Sequence, residues 1–139
     1  MEASNVSGIM TKGLITISMD ATLLEAKEIM ENENIRHLPV VDDDNKLAGF
    51  ITERDILMNI SPRLGTISEK KEDRDTLGKK VHRVMTRNPI TVTLDSDVAD
   101  AAKILASKKI SGIPVVDDKG VLMGIVTVID ILKYVAERG

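Results

Sequence analysis

Two threonine–aspartate pairs carry the residues best suited to chemistry, Thr52 with Asp55 and Thr127 with Asp130. Each pair follows an apolar run, Gly49-Phe50-Ile51 or Gly124-Ile125-Val126, and leads into Ile-Leu. A threonine with a carboxylate three residues later is a capping box. The hydroxyl and the carboxylate each accept from an amide that a helix start leaves unpaired. The same groups suit a phosphorylated ribose. Amides at a helix start favour phosphate, and a carboxylate accepts from vicinal hydroxyls. On spacing alone both uses stay open.

The neighbours of the first pair favour phosphate. Arg54 lies inside it, and a guanidinium suits bidentate phosphate contact. Arg36 and His37 precede Leu38-Pro39-Val40, and Lys12 and Arg87 each follow a Met-Thr dipeptide. Taken singly, each cation also reads as a solvated surface charge. Around the second pair Ser111-Gly112 replaces Arg36-His37, and Val128-Ile129 replaces Glu53-Arg54. The second site is therefore expected to be weaker toward phosphate and more nucleoside-like.

Other chemistry finds little support. There is no cysteine, so disulfides, thiol catalysis and cysteine-based zinc sites are excluded. His37 and His82 lack companions for a metal set, and no metal site is expected. Asp42-Asp43-Asp44-Asn45 has neither the glycine nor the distal glutamate of a calcium loop and reads as a turn. No nucleophile–base set, phosphate-binding glycine loop or dinucleotide motif is present, so no catalytic residue is assigned and no enzyme is expected.

The elements that hold these pairs come from a duplication. A shift of 75 residues superimposes 9–58 on 84–133 without a gap, with 19 of 50 positions identical. Each copy reads as β-α-β-β-α. Ile15-Thr16-Ile17-Ser18 alternates like a strand, Thr22 to Glu25 resembles a capping box, and the helix runs to about Asn32. Leu38-Pro39-Val40-Val41 and Leu47 to Ile51 form a hairpin, and a second helix starts at Glu53. In the second copy Asp97 stands where Thr22 caps, and the last helix runs from Val128 to about Arg138. Residues 5–10 form a short helical lead-in, and Met10, Met19, Met30, Met85 and Met123 read as core filler. The division is 1–60 for the first repeat with its lead-in, 61–80 for a charged, solvated and partly helical linker, and 81–139 for the second repeat. A unit of this size buries too little surface alone, so the repeats are expected to pack about a pseudo-two-fold axis in an α+β fold.

Composition bounds the partners. Hydrophobic residues make up 42% of the 139 and aromatic ones 1%, so the core is aliphatic and base-stacking platforms for single-stranded nucleic acid are nearly excluded. The net charge of −3 argues against a nucleic-acid surface, although Lys79, Lys80, His82, Arg83 and Arg87 cluster. Residues 1–5 carry no targeting pattern and no apolar run is long enough to span a membrane, so a cytoplasmic protein is expected.

Taken together, the tandem Met-Thr, Leu-Pro-Val-Val-Asp or Ile-Pro-Val-Val-Asp, and Gly-x-x-Thr-x-x-Asp-Ile-Leu segments resemble the CBS domain, two of which form a Bateman module. The resemblance covers all but the linker and the ends and implies a stand-alone CBS pair. It implies adenosine-containing ligands, such as AMP, ADP, ATP or S-adenosylmethionine, in clefts between the repeats, and no obligatory cofactor. It assigns ligand contacts first to Thr52, Asp55, Thr127 and Asp130, then to Arg54, Arg36 and His37, then to Lys12, Ile15, Thr16, Ile90 and Ile113. It further implies a homodimer through exposed apolar helix faces, where Ile56, Leu57, Ile131 and Leu132 read equally as such a face or as internal core, and an unidentified regulated protein. The rival reading is a ligand-independent dimerisation scaffold, with a nucleic-acid-binding module behind it.

Overall fold

The computed structural model describes residues 4–138. Contacts divide the chain into two units, one spanning Ile15–Pro89, the other joining the described residues up to Leu14 to those from Ile90 onward.

The first unit contains β1 (Ile17–Ser18), α1 (Leu23–Glu33), β2 (His37–Val41), β3 (Leu47–Thr52), α2 (Glu53–Leu57), α3 (Lys71–Asp75) and β4 (Thr86–Arg87). The sheet order is β1-β2-β3-β4. β1 runs parallel to β2, and the other pairs are antiparallel. The Thr22 hydroxyl accepts from the Glu25 amide and starts α1. Asn34, left-handed at φ 54°, ends it. The β2–β3 turn forms because one Asp42 carboxylate oxygen accepts from the Asp44 and Lys46 amides, both at 2.9 Å. Pro39 sits inside β2 rather than at its start, and β1 pairs only from Val40 onward, beyond the residue with no N–H to give. Leu23, Ala26 and Met30 of α1 bury against Leu38, Val40, Ile51 and Ile56. Ile56 thus belongs to the core, whereas Leu57 is exposed.

Residues 61–80 are not the wholly solvated linker that their charge suggests. Asp73 in α3 is buried and accepts from the Ser61 hydroxyl at 2.6 Å and the Lys70 amide at 2.7 Å. Those bonds hold its carboxyl below the ordinary carboxylate range. The Lys79 carbonyl accepts from the Leu23 amide at 2.9 Å, and Val81 donates to Ala21 at 2.7 Å. The segment is therefore stitched onto the repeat that precedes it.

The second unit contains β5 (Val92–Thr93), α4 (Val98–Lys108), β6 (Gly112–Val116), β7 (Leu122–Thr127) and α5 (Val128–Arg138). The sheet order is β5-β6-β7. Asp117 organises the β6–β7 turn as Asp42 does the first, accepting from the Lys119 and Val121 amides. Asp97 precedes α4 but makes no side-chain capping bond, unlike Thr22. Met123 is 40% exposed and is not core filler. Among the described residues no helix is long and apolar enough to cross a membrane.

The lead-in has the expected helical turn, Val6–Gly8, but its bonds go to the second repeat rather than to its sequence neighbours. The Val6 amide donates to Ser96 at 2.9 Å, and the Val6 side chain is fully buried in the second core. Thr11 and Ile125 exchange two main-chain bonds, of 2.8 and 3.0 Å, placing Thr11 where β4 lies in the first unit. Reciprocally, Val81 and Met85 fill the first core, and Thr86 pairs with Phe50. Each sheet thus takes its last edge from a Met-Thr segment that precedes the other repeat. This explains one duplicated glycine. A Cβ on Gly49 would lie 2.5 Å from Met85 Sδ and 2.9 Å from the Thr86 carbonyl. On Gly124 it would lie 2.7 Å from Met10 Sδ and 2.9 Å from the Thr11 carbonyl.

Candidate functional site

The Thr–Asp pairs stand where the last strand of each sheet becomes a helix. In the first unit, Thr52 ends β3 in extended conformation and accepts from the Asp55 amide at 3.2 Å. One Asp55 carboxylate oxygen accepts from the Thr52 amide at 2.9 Å, which completes the capping box. The other oxygen accepts no bond among the described residues. Antiparallel pairing puts His37 opposite Thr52, and the Glu53 amide donates to the Arg36 carbonyl at 2.9 Å. The start of β2 and the start of α2 are therefore fastened together. Because β1 runs parallel to β2, Ile15 and Thr16, just before β1, fall at the same end of the sheet. Arg36, His37, Thr52, Arg54, Asp55, Ile15 and Thr16 are thus gathered by the backbone, with Arg36 and Arg54 exposed.

His37 is half-buried and stacks on Phe50, with ring centroids 5.6 Å apart and planes 16° from parallel. Burial holds its imidazole below the ordinary pKa of 6.5. At neutral pH it is a neutral hydrogen-bonding ring rather than a third cation beside Arg36 and Arg54.

The second unit repeats the backbone with different occupants. Asp130 accepts from the Thr127 amide at 2.9 Å and the Thr127 hydroxyl at 3.1 Å, and its own amide donates to that hydroxyl at 3.2 Å. Gly112 stands opposite Thr127 where His37 stands opposite Thr52. Ile125, the counterpart of Phe50, lies over it, and a Cβ on Gly112 would be 3.0 Å from the Ile125 side chain. The Val128 amide donates to Ser111 as Glu53 donates to Arg36. Ile129, at the position of Arg54, is exposed. Ile90, just before β5, is 41% exposed. Ile113 is 0% exposed, so its side chain belongs to the core and only its main chain remains for a site role.

Lys12 joins the second unit, not the first, because it follows Thr11 along the exchanged edge. The corresponding residue of the first unit is Arg87, opposite Gly49, whose guanidinium donates to the His82 carbonyl at 3.1 Å. Sequence reasoning missed Thr11. Its hydroxyl lies 3.1 Å from Asp130 Oδ1 and 3.2 Å from Oδ2. The repeated Met-Thr beside a repeated glycine was the available signal. Among the described residues no cluster of His, Cys, Asp and Glu has the arrangement of a metal site.

Residues 6–62 and 81–137 match the family model of the CBS domain. CBS domain-containing protein DDB_G0289609 of Dictyostelium discoideum is 41% identical over 128 residues, which cover 91% of this chain and 88% of that protein. Among solved structures, CBSX2 in complex with AMP superimposes with a TM-score of 0.83 at 29% identity, over 96% of this chain and 97% of that one. The CBS domain pair of MJ0100 in complex with 5′-methylthioadenosine and S-adenosyl-L-methionine gives a TM-score of 0.79 at 34% identity, over 99% and 100%. The chain spans only 33% of another curated relative and 22% of two Methanocaldococcus jannaschii enzymes that it also matches.

Proposed function

This chain belongs to the CBS domain family, with two such domains in tandem, and from that premise we propose that it is a regulatory module binding adenosine-containing ligands at the Thr–Asp end of each sheet. The observation that carries this reading is the first site. There a carboxylate with one unengaged oxygen stands at a strand-to-helix junction, and Arg36 and Arg54 occupy the same sheet end. Asp55 would take the ribose hydroxyls, the Thr52 junction and the two arginines the phosphate, and Ile15 and Thr16 the base. The ligands of CBSX2 and MJ0100, AMP and S-adenosyl-L-methionine with 5′-methylthioadenosine, support the class.

The role is regulatory rather than catalytic. A ligand acts here only through its differential affinity for two states of the chain. The output passes to a partner protein or, where the module is part of a longer chain, to a fused domain. Free nucleotides are intracellular, so the proposed setting is the cytoplasm. Asp55→Ala is expected to weaken AMP binding by about 1–3 kcal/mol, the strength of hydrogen bonds to a charged group, or roughly 5- to 150-fold. Isothermal calorimetry reads this directly. A folded protein that takes up no AMP, ATP or S-adenosylmethionine at millimolar concentration would sink the proposal.

A second observation favours homodimerisation alongside ligand binding. Val128, Leu132 and Val135 recur at helical spacing along α5 and are 41%, 57% and 58% exposed. A stripe of this kind is covered in stable proteins. Leu132→Lys is expected to shift a dimer toward monomer in sedimentation, and a wild-type chain already monomeric at high concentration would remove the idea.

A further inference from the structure

We infer that Thr11 is an affinity-determining residue of the second site, a built-in competitor for the carboxylate that a ribose would use. The inference rests on the adenosine-ligand reading above and concerns one hydroxyl that the reading does not need. Thr11 is delivered to Asp130 by main-chain bonds on both its amide and its carbonyl to Ile125. The approach is close because Gly124 lacks the Cβ that would meet the Thr11 carbonyl. The Thr11 hydroxyl spans both carboxylate oxygens, at 3.1 and 3.2 Å. Asp130 Oδ2 already accepts from the Thr127 amide and the Thr127 hydroxyl. With Thr11 added it faces three donors, against about two lone pairs.

A vicinal diol donates one hydrogen bond to each oxygen of a carboxylate. At Asp55 one oxygen stands unengaged for it. At Asp130 the two Thr127 donors fill Oδ2, and Oδ1, the oxygen left for a ribose hydroxyl, is the one that Thr11 engages at 3.1 Å, so the diol competes with Thr11 for it. The first unit shows that the bond is not required by the fold. Thr86 holds the same register opposite Phe50, and its hydroxyl makes no bond to Asp55. Both Thr11 and Asp130 remain open to solvent, so the exchange needs only a rotation of one side chain.

The test titrates the 139-residue chain with 5′-methylthioadenosine, which carries the ribose diol and no phosphate, in an Asp55→Ala background that weakens the first site. Thr11→Val keeps the shape and strand preference of threonine and removes the hydroxyl. It is expected to tighten binding about three- to tenfold, the ratio that one hydrogen bond of ordinary net strength supports. Thr11→Ala, checked for folding by circular dichroism, is expected to do the same, and Thr11→Ser to keep the parent affinity. Unchanged or weaker binding in Thr11→Val and Thr11→Ala overturns the inference, as does equal tightening in Thr11→Ser. AMP binding to the protein with Asp55 intact separates this failure from that of the adenosine reading. If that protein takes AMP while Thr11→Val gains nothing, only the competitor role fails. If neither site takes either compound, both ideas fall.

Discussion

The two repeats share a backbone and differ in what they hang on it. The first places Thr52 and Asp55 at the start of a five-residue helix beside Arg36, His37 and Arg54. The second places Thr127 and Asp130 at the start of an eleven-residue helix beside Ser111, Gly112 and Ile129. The same divergence recurs away from the sites. A groove of about 240 Å³ between α1 and α2 is lined by Lys27, Met30, Glu31, Glu53, Ile56 and Leu57. The corresponding six positions line a groove of about 170 Å³ between α4 and α5, and they are Ala102, Leu105, Ala106, Val128, Ile131 and Leu132. Duplication kept what the backbone demands and released the rest. Along this groove one copy carries Lys27, Glu31 and Glu53 where the other carries Ala102, Ala106 and Val128.

The largest expected effects break the comparison at the exchanged lead-ins. Val6→Asp puts an unpaired carboxylate in the second core, and Val81→Asp does so in the first. Each is expected to cost about 4 kcal/mol or more. Hydrogen exchange read strand by strand distinguishes them: Val6→Asp should release the amides of β5 to β7 first, and Val81→Asp those of β1 to β4. Loosening of the opposite sheet would contradict the exchange.

A smaller effect is expected at the paired glycines. Gly49→Ala and Gly124→Ala each force a Met-Thr segment away from its sheet, at about 1–3 kcal/mol by overpacking. Neither glycine has a positive φ, so the loss reports contact alone. Denaturant melts of the two variants should agree, and a neutral result at either would show that its edge yields freely.

The smallest effect sharpens the difference at His37. Its folded pKa lies below 6.5 because the ring is buried, so the unfolded chain binds the proton more readily. The stability is complete above that value and is lost as pH falls from 6.5 toward the lowered folded value. The second repeat has Gly112 there and nothing to titrate. His37→Phe is expected to flatten the change in melting temperature between pH 7.5 and pH 5.5, and an unaltered slope would show that the loss arises elsewhere.

Much of this was legible because a duplicated sequence marks what the backbone requires. The identical Asp42 and Asp117 are the turn acceptors, and the identical Thr–Asp pairs are the capping boxes. What sequence order hides is which sheet a segment joins. Met10-Thr11 reads as the lead-in of its own repeat, and nothing local says that its hydrogen bonds go to Ile125. Asp73 was equally hidden, since a charge run looks solvated until Ser61 and the Lys70 amide draw one carboxylate inside. Sequence position does not say that Ile113 keeps its side chain in the core and offers a site only its main chain.

The exchanged edges also set an order of events during synthesis. The first unit has all its strands once Pro89 leaves the ribosome, whereas the lead-in must wait for partners as distant as Asp130, 119 positions away. Long-range closure of this kind is slow, and chains begin folding from their N-terminal side as they emerge. Until Thr86 is made, the edge of β3 that it pairs with lacks its strand, while the chain already carries Met10-Thr11, a dipeptide identical to Met85-Thr86. The chain thus holds the same dipeptide twice, and the synthesis of the residues between the two copies is the interval in which only the first is present.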